Sequence, residues 1–401
     1  MVRFTLKDLI SDYRSLFFFL SFLIYGSFSS PTPDSPSWAE FSIFLFLALS
    51  FGGYASKIFI SYQRPWQWAG LALLVYGLSI PTIMGGAINN NMPLVIVRDV
   101  IGFIFLTLPL FMFPFLQANE KRNDILLWGA LFIGLAFSLR VLFVDFSFTT
   151  SRQNLLYLAN SPLVLFSALY FTLSAYSLLI KRYSLAHIGR AGLYGFIALL
   201  PLLAMFIDFQ RASFIAVFFA LTTMMITNFY RKPIRVILSF FILLLIAVIG
   251  YELGQTIINS LITKTAQVGL NMRLQELTAV WEQISVSPFT LLLGHGWGAE
   301  FESPAVGNLP VAYTHSLISY MLLKTGLIGL CLTFIYMALI FEKLISLVLN
   351  KDTEFNALLW PFIIPILFYA SYKSFDYGLL LTLVLVTTYR TKKKNKSECC
   401  E

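Results

Sequence analysis

Apolar residues run along this chain in long unbroken stretches, with neither the alternation of a strand nor the one-sided stripe of a soluble helix. Runs such as SLFFFLSFLIYG and VILSFFILLLIAVIGY approach or exceed the ~20 apolar residues that carry a helix across a hydrocarbon core. Twelve segments read as helices, near 15–30, 38–60, 66–86, 94–116, 125–144, 161–180, 191–207, 212–229, 235–255, 314–342, 357–372 and 377–389. The last two are short for a span. Together they fill nearly the whole chain. The expected architecture is therefore all-α: a polytopic integral membrane protein with about 12 transmembrane helices, a single transmembrane domain over 1–401 and one large periplasmic loop, 256–313.

Composition agrees. The chain is 58% hydrophobic and 12% charged, whereas soluble chains are about half apolar and about a quarter charged, so water is not its main solvent. The three cysteines, Cys331, Cys399 and Cys400, offer neither a disulfide framework nor a zinc spacing. Charge then orients the spans. Nineteen basic residues fall on the termini and alternate connections, including Arg3, Lys7, Arg122, Lys181, Arg235 and the tail from Arg390 to Lys396. Five fall on the opposite side: Arg152, Arg211, Lys264, Arg273 and Lys373. The positive-inside rule places both termini in the cytoplasm. The net charge of +8 is thus a topology signal and no nucleic-acid partner is implied. The first apolar run has a charged start, but no A-x-A-like cleavage site follows it, and it reads as a retained anchor.

The long outer connection between Tyr251 and Tyr313 leaves the apolar pattern and gathers Lys264, Arg273, Glu276, Glu282, His295, Glu300 and Glu302. Loops this long in compact proteins commonly carry function. Within it Leu274, Leu277, Trp281 and Ile284 recur at helical spacing, which predicts a short helix lying by that face on the bundle.

Candidate chemistry collects at the same side. His315 stands where the loop meets the tenth span. It is either a polar residue at a helix start or a base, since imidazole titrates near neutrality and can take a proton from a sugar hydroxyl. Arg211, in MFIDFQRASF, is held at the outer surface by a very short break between spans. Its guanidinium either grips a diphosphate with two parallel hydrogen bonds or snorkels to Asp208. His295 sits in GHGWG, where glycines allow close backbone approach, while His187 falls in a cytoplasmic connection. Lys57, Arg98, Arg140 and Lys324 lie within spans, where charge is costly and marks candidate sites. Arg98 and Arg140 lie toward the outer ends and either line a cationic pocket for a lipid-linked phosphate or form ion pairs such as Arg140 with Asp145. No Asp-x-Asp on the outer side, HExxH or Walker A loop is present, so no metal–diphosphate site of the usual kind and no ATPase is indicated.

The stretch THSLISYMLLKTGLIGL resembles the signature of the bacterial O-antigen ligase and polymerase family, with His315 and Ser316 followed after nine residues by Gly326 and Gly329. Upstream, Arg273, Trp281, Pro288, Gly294, Gly296 and Gly298 resemble the family's arginine, tryptophan helix, proline and Gly-x-Gly turn, and Arg211 in FQRASF resembles its other arginine. Gln210 stands where Ser or Thr is usual, Lys324 where an acidic residue is common, and Leu330 where ligases tend to have a small or aromatic residue. The resemblance implies a glycosyltransferase of the bacterial inner membrane acting at the periplasmic face without metal or cofactor. Its donor would be an undecaprenyl diphosphate-linked glycan, and its acceptor either lipid A–core, as for a ligase, or another lipid-linked repeat unit, as for a polymerase. On this reading His315 and Arg211 are catalytic, and Arg98, Arg140, Arg273 and His295 bind substrate. The alternative from another class is a lipid-glycan flippase or ion-coupled transporter, for which related halves and midplane sites are expected. No internal repeat is visible.

Overall fold

The computed structural model describes residues 12–31, 37–54, 64–143, 157–181, 184–208, 210–230, 232–249, 255, 272–348 and 353–398. Lys57, Asp145, Arg152, Lys264, Cys399, Cys400 and residues 256–271 of the expected loop lie outside them. Each of the twelve apolar segments holds helix. In order these are α1 (Tyr13–Phe28), α2 (Trp38–Phe51), α3 (Pro65–Ile83, continued by a π turn Met84–Ile88), α4 (Pro93–Leu106) with α5 (Leu108–Gln117), and α6 (Lys121–Leu142). There follow α7 (Pro162–Lys181), α8 (Leu185–Ile207), α9 (Arg211–Phe229) and α10 (Pro233–Ile249). After the loop come α13 (Leu317–Val348), α14 (Thr353–Leu367) and α15 (Phe375–Glu398). Among the described residues seven helical stretches are long and apolar enough to cross a membrane: α3 with its π turn, α4–α5, α6, α7, α8, α9 and α13; α1, α2 and α14 are shorter apolar helices.

Many outward side chains are large and apolar, among them Phe41, Phe44, Phe196 and Phe218. A helix that is apolar all round is buried either in protein or in lipid. The protein core lies along α7 and α15, which is buried without interruption from Phe375 to Thr388. That explains how the shortest of the expected segments, 377–389, holds a central place.

The connection from 272 to 316 is built of α11 (Arg273–Ile284), α12 (Pro288–Leu293) and a small antiparallel hairpin, β1 (Phe301–Ser303) with β2 (Leu309–Val311), pairing Phe301 with Val311. The helix in 273–284 forms as expected, with Ile284 inward as the spacing predicts, but turned so that the other three positions of that face point out. Glu276, Val280 and Ile284 are buried, whereas Leu274, Leu277 and Trp281 are 70%, 37% and 47% exposed. A buried carboxylate with partners outweighs the apolar stripe in setting the face.

The loop is fastened through two broken helices. In α13, Gly326 adopts φ +63° and interrupts the helix, and the carbonyls of the preceding turn turn to other donors. Leu323 O accepts His295 N at 2.9 Å, Lys324 O accepts Gly296 N at 3.0 Å, and Thr325 O accepts the Tyr76 hydroxyl at 2.9 Å. In α3, Pro81 has no N–H for the Gly77 carbonyl, which instead accepts the Trp297 indole N–H at 2.7 Å; the Pro81 carbonyl accepts Trp297 N at 3.0 Å. Asn89 and Asn91 donate side-chain N–H groups to His295 O and Trp297 O, each at 2.8 Å. Backbone this far from water must find partners inside the protein, and here one element's gaps are filled by the other.

A buried ion pair completes the fastening. Lys324 Nζ lies 2.6 Å from Asp99 Oδ2, with both side chains essentially without exposure. Lys324 also donates to Ala299 O at 2.5 Å, and Asp99 accepts Gly298 N at 2.9 Å and the Tyr320 hydroxyl at 3.1 Å. Lys324 is thus a structural cation, and α4, α13 and the GHGWG turn meet at one point. Lys324→Met should leave Asp99 buried and unpaired and lower stability by about 3–5 kcal/mol. Adding Asp99→Asn should recover part of it, and thermal unfolding of the detergent-solubilised protein measures both.

Candidate functional site

His315 lies just before α13, and the helix start is not its task. Ser316 caps the helix, its Oγ accepting Ser319 N at 3.2 Å. The imidazole turns to α11 instead: Nδ1 lies 3.0 Å from both Glu276 Oε1 and Oε2, and the His315 backbone N–H donates to Oε2 at 3.3 Å. Ser303, at the end of β1, donates to Oε1 at 2.7 Å. Glu276 is therefore a shielded carboxylate held from three directions. Burial alone pushes it up, but the His315 and Ser303 hydrogen bonds and the His315 charge prevail and hold it below the ordinary carboxylate range. An ionised carboxylate accepts only, so Nδ1 is the nitrogen that carries a proton in this contact, and in the neutral ring the lone pair lies on Nε2. The side chain is 26% exposed, and among the described residues nothing hydrogen-bonds to Nε2.

Arg273 stands one helical turn before Glu276, over the rings of Phe368 and Tyr369 at 5.5 and 5.9 Å. Its Nε is buried without a hydrogen-bond partner. Burial draws the guanidinium down; Tyr369 and Glu276 oppose this, and the nearby Arg211 charge adds to it. Arg211 opens α9 and acts on the same Tyr369. Just before it, Gln210 is buried, takes the Ser213 hydroxyl at 2.9 Å and donates to Asp208 at 3.2 Å. Thus two arginines far apart in the chain feel each other's charge around Tyr369, and one of them, Arg273, stands a helical turn from Glu276.

The other expected residues divide. Arg98 is exposed on α4, and its charge reaches Tyr313, whose ring lies 5.9 Å from that of His315. Arg140 is engaged elsewhere, donating to Gly26 O at 3.1 Å and Ser29 O at 2.5 Å at the end of α1. His295 packs back on its own loop, with Nε2 3.3 Å from Gln283 O; its backbone belongs to the fastening described above. Glu276, Ser303, Tyr313, Tyr369 and Lys373 were not singled out from sequence. For Glu276 a signal exists: Arg273 and Glu276 are three apart and so share a helix face.

Two cavities flank the region. An apolar groove of about 280 Å³ runs between α13 and α14, lined by Leu317, Ile318, Phe334, Met337, Phe341 and Ile366. It begins two residues beyond His315 and includes Leu367, next to the Phe368 ring under Arg273. An open cleft of about 620 Å³ lies elsewhere on the loop, beside Glu282, Glu300 and Glu302, and its lining includes neither His315, Glu276 nor any arginine. Among the described residues no three His, Cys, Asp or Glu side chains cluster as metal ligands do.

The arrangement pairs an oriented imidazole with fixed positive charge. Glu276→Gln keeps the size but removes the charge that sets the imidazole tautomer, and turnover should fall about 10²- to 10⁴-fold with the loop still folded. Rates within a factor of two of wild type, at normal expression, would leave Glu276 a structural residue only.

No curated protein matches the chain. A family model described as O-antigen ligase matches residues 196–334, about a third of the chain. The matched stretch holds Arg211, Arg273, Glu276, His315 and Gly326, at which α13 breaks. Over this segment the chain is similar to the O-antigen ligase family.

Proposed function

We propose that the protein transfers a glycan from an undecaprenyl diphosphate carrier to a sugar hydroxyl at the periplasmic face of the inner membrane, as an O-antigen ligase or polymerase. The observation that carries this is the His315 imidazole, bonded through Nδ1 to buried Glu276 with Nε2 open, beside Arg273 and Arg211. Nε2 takes the proton of the acceptor hydroxyl as its oxygen attacks the anomeric carbon of the donor. The bond from that carbon to the diphosphate oxygen breaks with its electron pair going to the leaving group. Undecaprenyl diphosphate departs as an anion, its charge met by the two guanidinium groups. Glu276 stabilises the imidazolium until the proton passes to water. The isoprenoid tail of the donor has a place in the apolar groove between α13 and α14, which opens next to the ring beneath Arg273.

The test is purified protein with a lipid-diphosphate glycan donor and an acceptor. His315→Ala should lose on the order of 10²- to 10⁴-fold in rate, and His315→Gln, which hydrogen-bonds but is no base, should recover little. Near-wild-type turnover in either would remove His315 from the chemistry. Arg211→Lys keeps the charge but not the two-pronged geometry. It should cost on the order of 10- to 100-fold, whereas an arginine that merely snorkels tolerates lysine unchanged.

A further inference from the structure

A second pair of cations lies on the other flank of His315, and the roles above leave it unused. Lys373 is on the 3-10 turn Ala370–Lys373 between α14 and α15. Its ammonium lies 5.3 Å from the centroid of the Tyr313 ring and 5.8 Å from that of Tyr320. The turn presses against α4 at Gly102, where an added Cβ would meet the Lys373 Cβ at 2.9 Å. Arg98 is one helical turn before Gly102, on the same stripe of α4 and nearer the loop. It is exposed, and among the described residues neither Arg98 nor Lys373 has an acidic side chain within ion-pair distance. The neighbouring carboxylate, Asp99, is already bound by Lys324, Tyr320 and Gly298. Asp99 and Lys324 cancel, so the cluster keeps two surplus positive charges. Burial draws the Lys373 ammonium down to about 8; the Asp99 charge opposes this, and the Arg98 and Lys324 charges add to it. Below that value it remains a cation.

Each pair has its own aromatic floor. Arg211 and Arg273 act with Phe368 and Tyr369, while Arg98 and Lys373 act with Tyr313 and Tyr320. The imidazole contacts both Glu276, through Nδ1, and the Tyr313 ring, edge to face. A single leaving diphosphate is already met by the first pair.

We propose that Arg98 and Lys373 form a second anion subsite that binds a phosphate of the acceptor and delivers the acceptor's hydroxyl to His315 from the Tyr313 side. This rests on the transfer reaction proposed above and narrows it to acceptors that carry phosphate. Such an acceptor is either a polyprenyl diphosphate-linked glycan or a phosphorylated lipid A–core.

Binding tests the subsite independently of turnover. Titration of the full-length protein with farnesyl diphosphate should show two sites. Arg98→Gln, at an exposed position that the fold does not need, should weaken one of them about tenfold, and Lys373→Gln the same one. Arg273→Gln should weaken the other. A single site, or two sites indifferent to Arg98→Gln, overturns the proposal even if the protein proves to be a glycan transferase. Kinetics then identify the source. At saturating donor, Arg98→Gln should raise KM for the acceptor about tenfold, leaving KM for the donor unchanged. An acceptor without phosphate, either phosphatase-treated lipid A–core or the same glycan carried on an uncharged polyprenyl ether, should produce the same rise in the wild type and no further rise in the variant. Lipid-linked glycan and lipid A–core are assayed separately, and the one that shows this pattern is the acceptor bound here. A dephosphorylated acceptor used as well as the intact one, or a rise in donor KM instead, overturns the assignment. Two sites with no transfer to either acceptor would refute the proposed reaction and leave the anion subsite standing.

Discussion

Backbone polar groups away from water must be paired, and the loop that carries Glu276 is built into the bundle at the places where helices fail to pair their own. An unbroken α13 would direct the carbonyls of Leu323 and Lys324 along its own axis. With Gly326 left-handed, they face the turn at residues 294–296 and accept two of its N–H groups. Pro81 does the same for α3, leaving Gly77 O to the Trp297 indole. The approach is close enough to require glycine on both sides: a side chain at Gly294 would strike the Gly326 backbone, and one at Gly296 would strike Gly85. Each partner's irregularity is tolerable only because the other is present, as with other non-helical backbone at membrane depth.

The site inherits its rigidity from that fastening. Glu276 belongs to a helix that packs on α13 through Val280 and Ile284, in a small apolar cluster with Leu322, Leu323 and Phe301. His315 is fixed from the other side by the capped start of α13 and by Tyr372, whose hydroxyl donates to Thr314 O at 2.9 Å. The His315–Glu276 bond thus joins two bodies already held in register. A base must lie within hydrogen-bond reach of the proton that it takes, and a dyad spanning a loose loop would not hold that geometry.

Much of the fold was legible because membrane spans announce themselves by length alone: all twelve apolar segments contain helix, though only seven stretches among the described residues reach spanning length. The pairing of elements was not legible. Periodicity ranked Leu274, Leu277 and Trp281 above Glu276 because it prices a carboxylate as exposed. It has no means of knowing that a histidine 39 residues later supplies the partner. Arg98 and Arg140 looked equivalent in the chain, both near outer span ends. In space one turns to the carbonyls of Gly26 and Ser29 and the other stays open beside Tyr313. Gly326 was visible as a motif glycine, but that it breaks α13 depends on a loop thirty residues away.

The buried Lys324–Asp99 pair also bears on the choice between moving a glycolipid and reacting with it. An intramembrane ion pair is a natural suspect for ion coupling, and a coupling group must exchange its partner during each cycle. Here Asp99 has three donors and Lys324 has a carbonyl besides the carboxylate, and two of these contacts, from Gly298 N and to Ala299 O, tie down the same turn. Releasing either charge would unfasten the loop that positions Glu276. The more exposed polar groups, Arg98 and the partly open His315, instead lie at the loop end of the bundle. Fixed charge inside and accessible charge at one face is the distribution that stationary chemistry on a membrane-anchored substrate calls for.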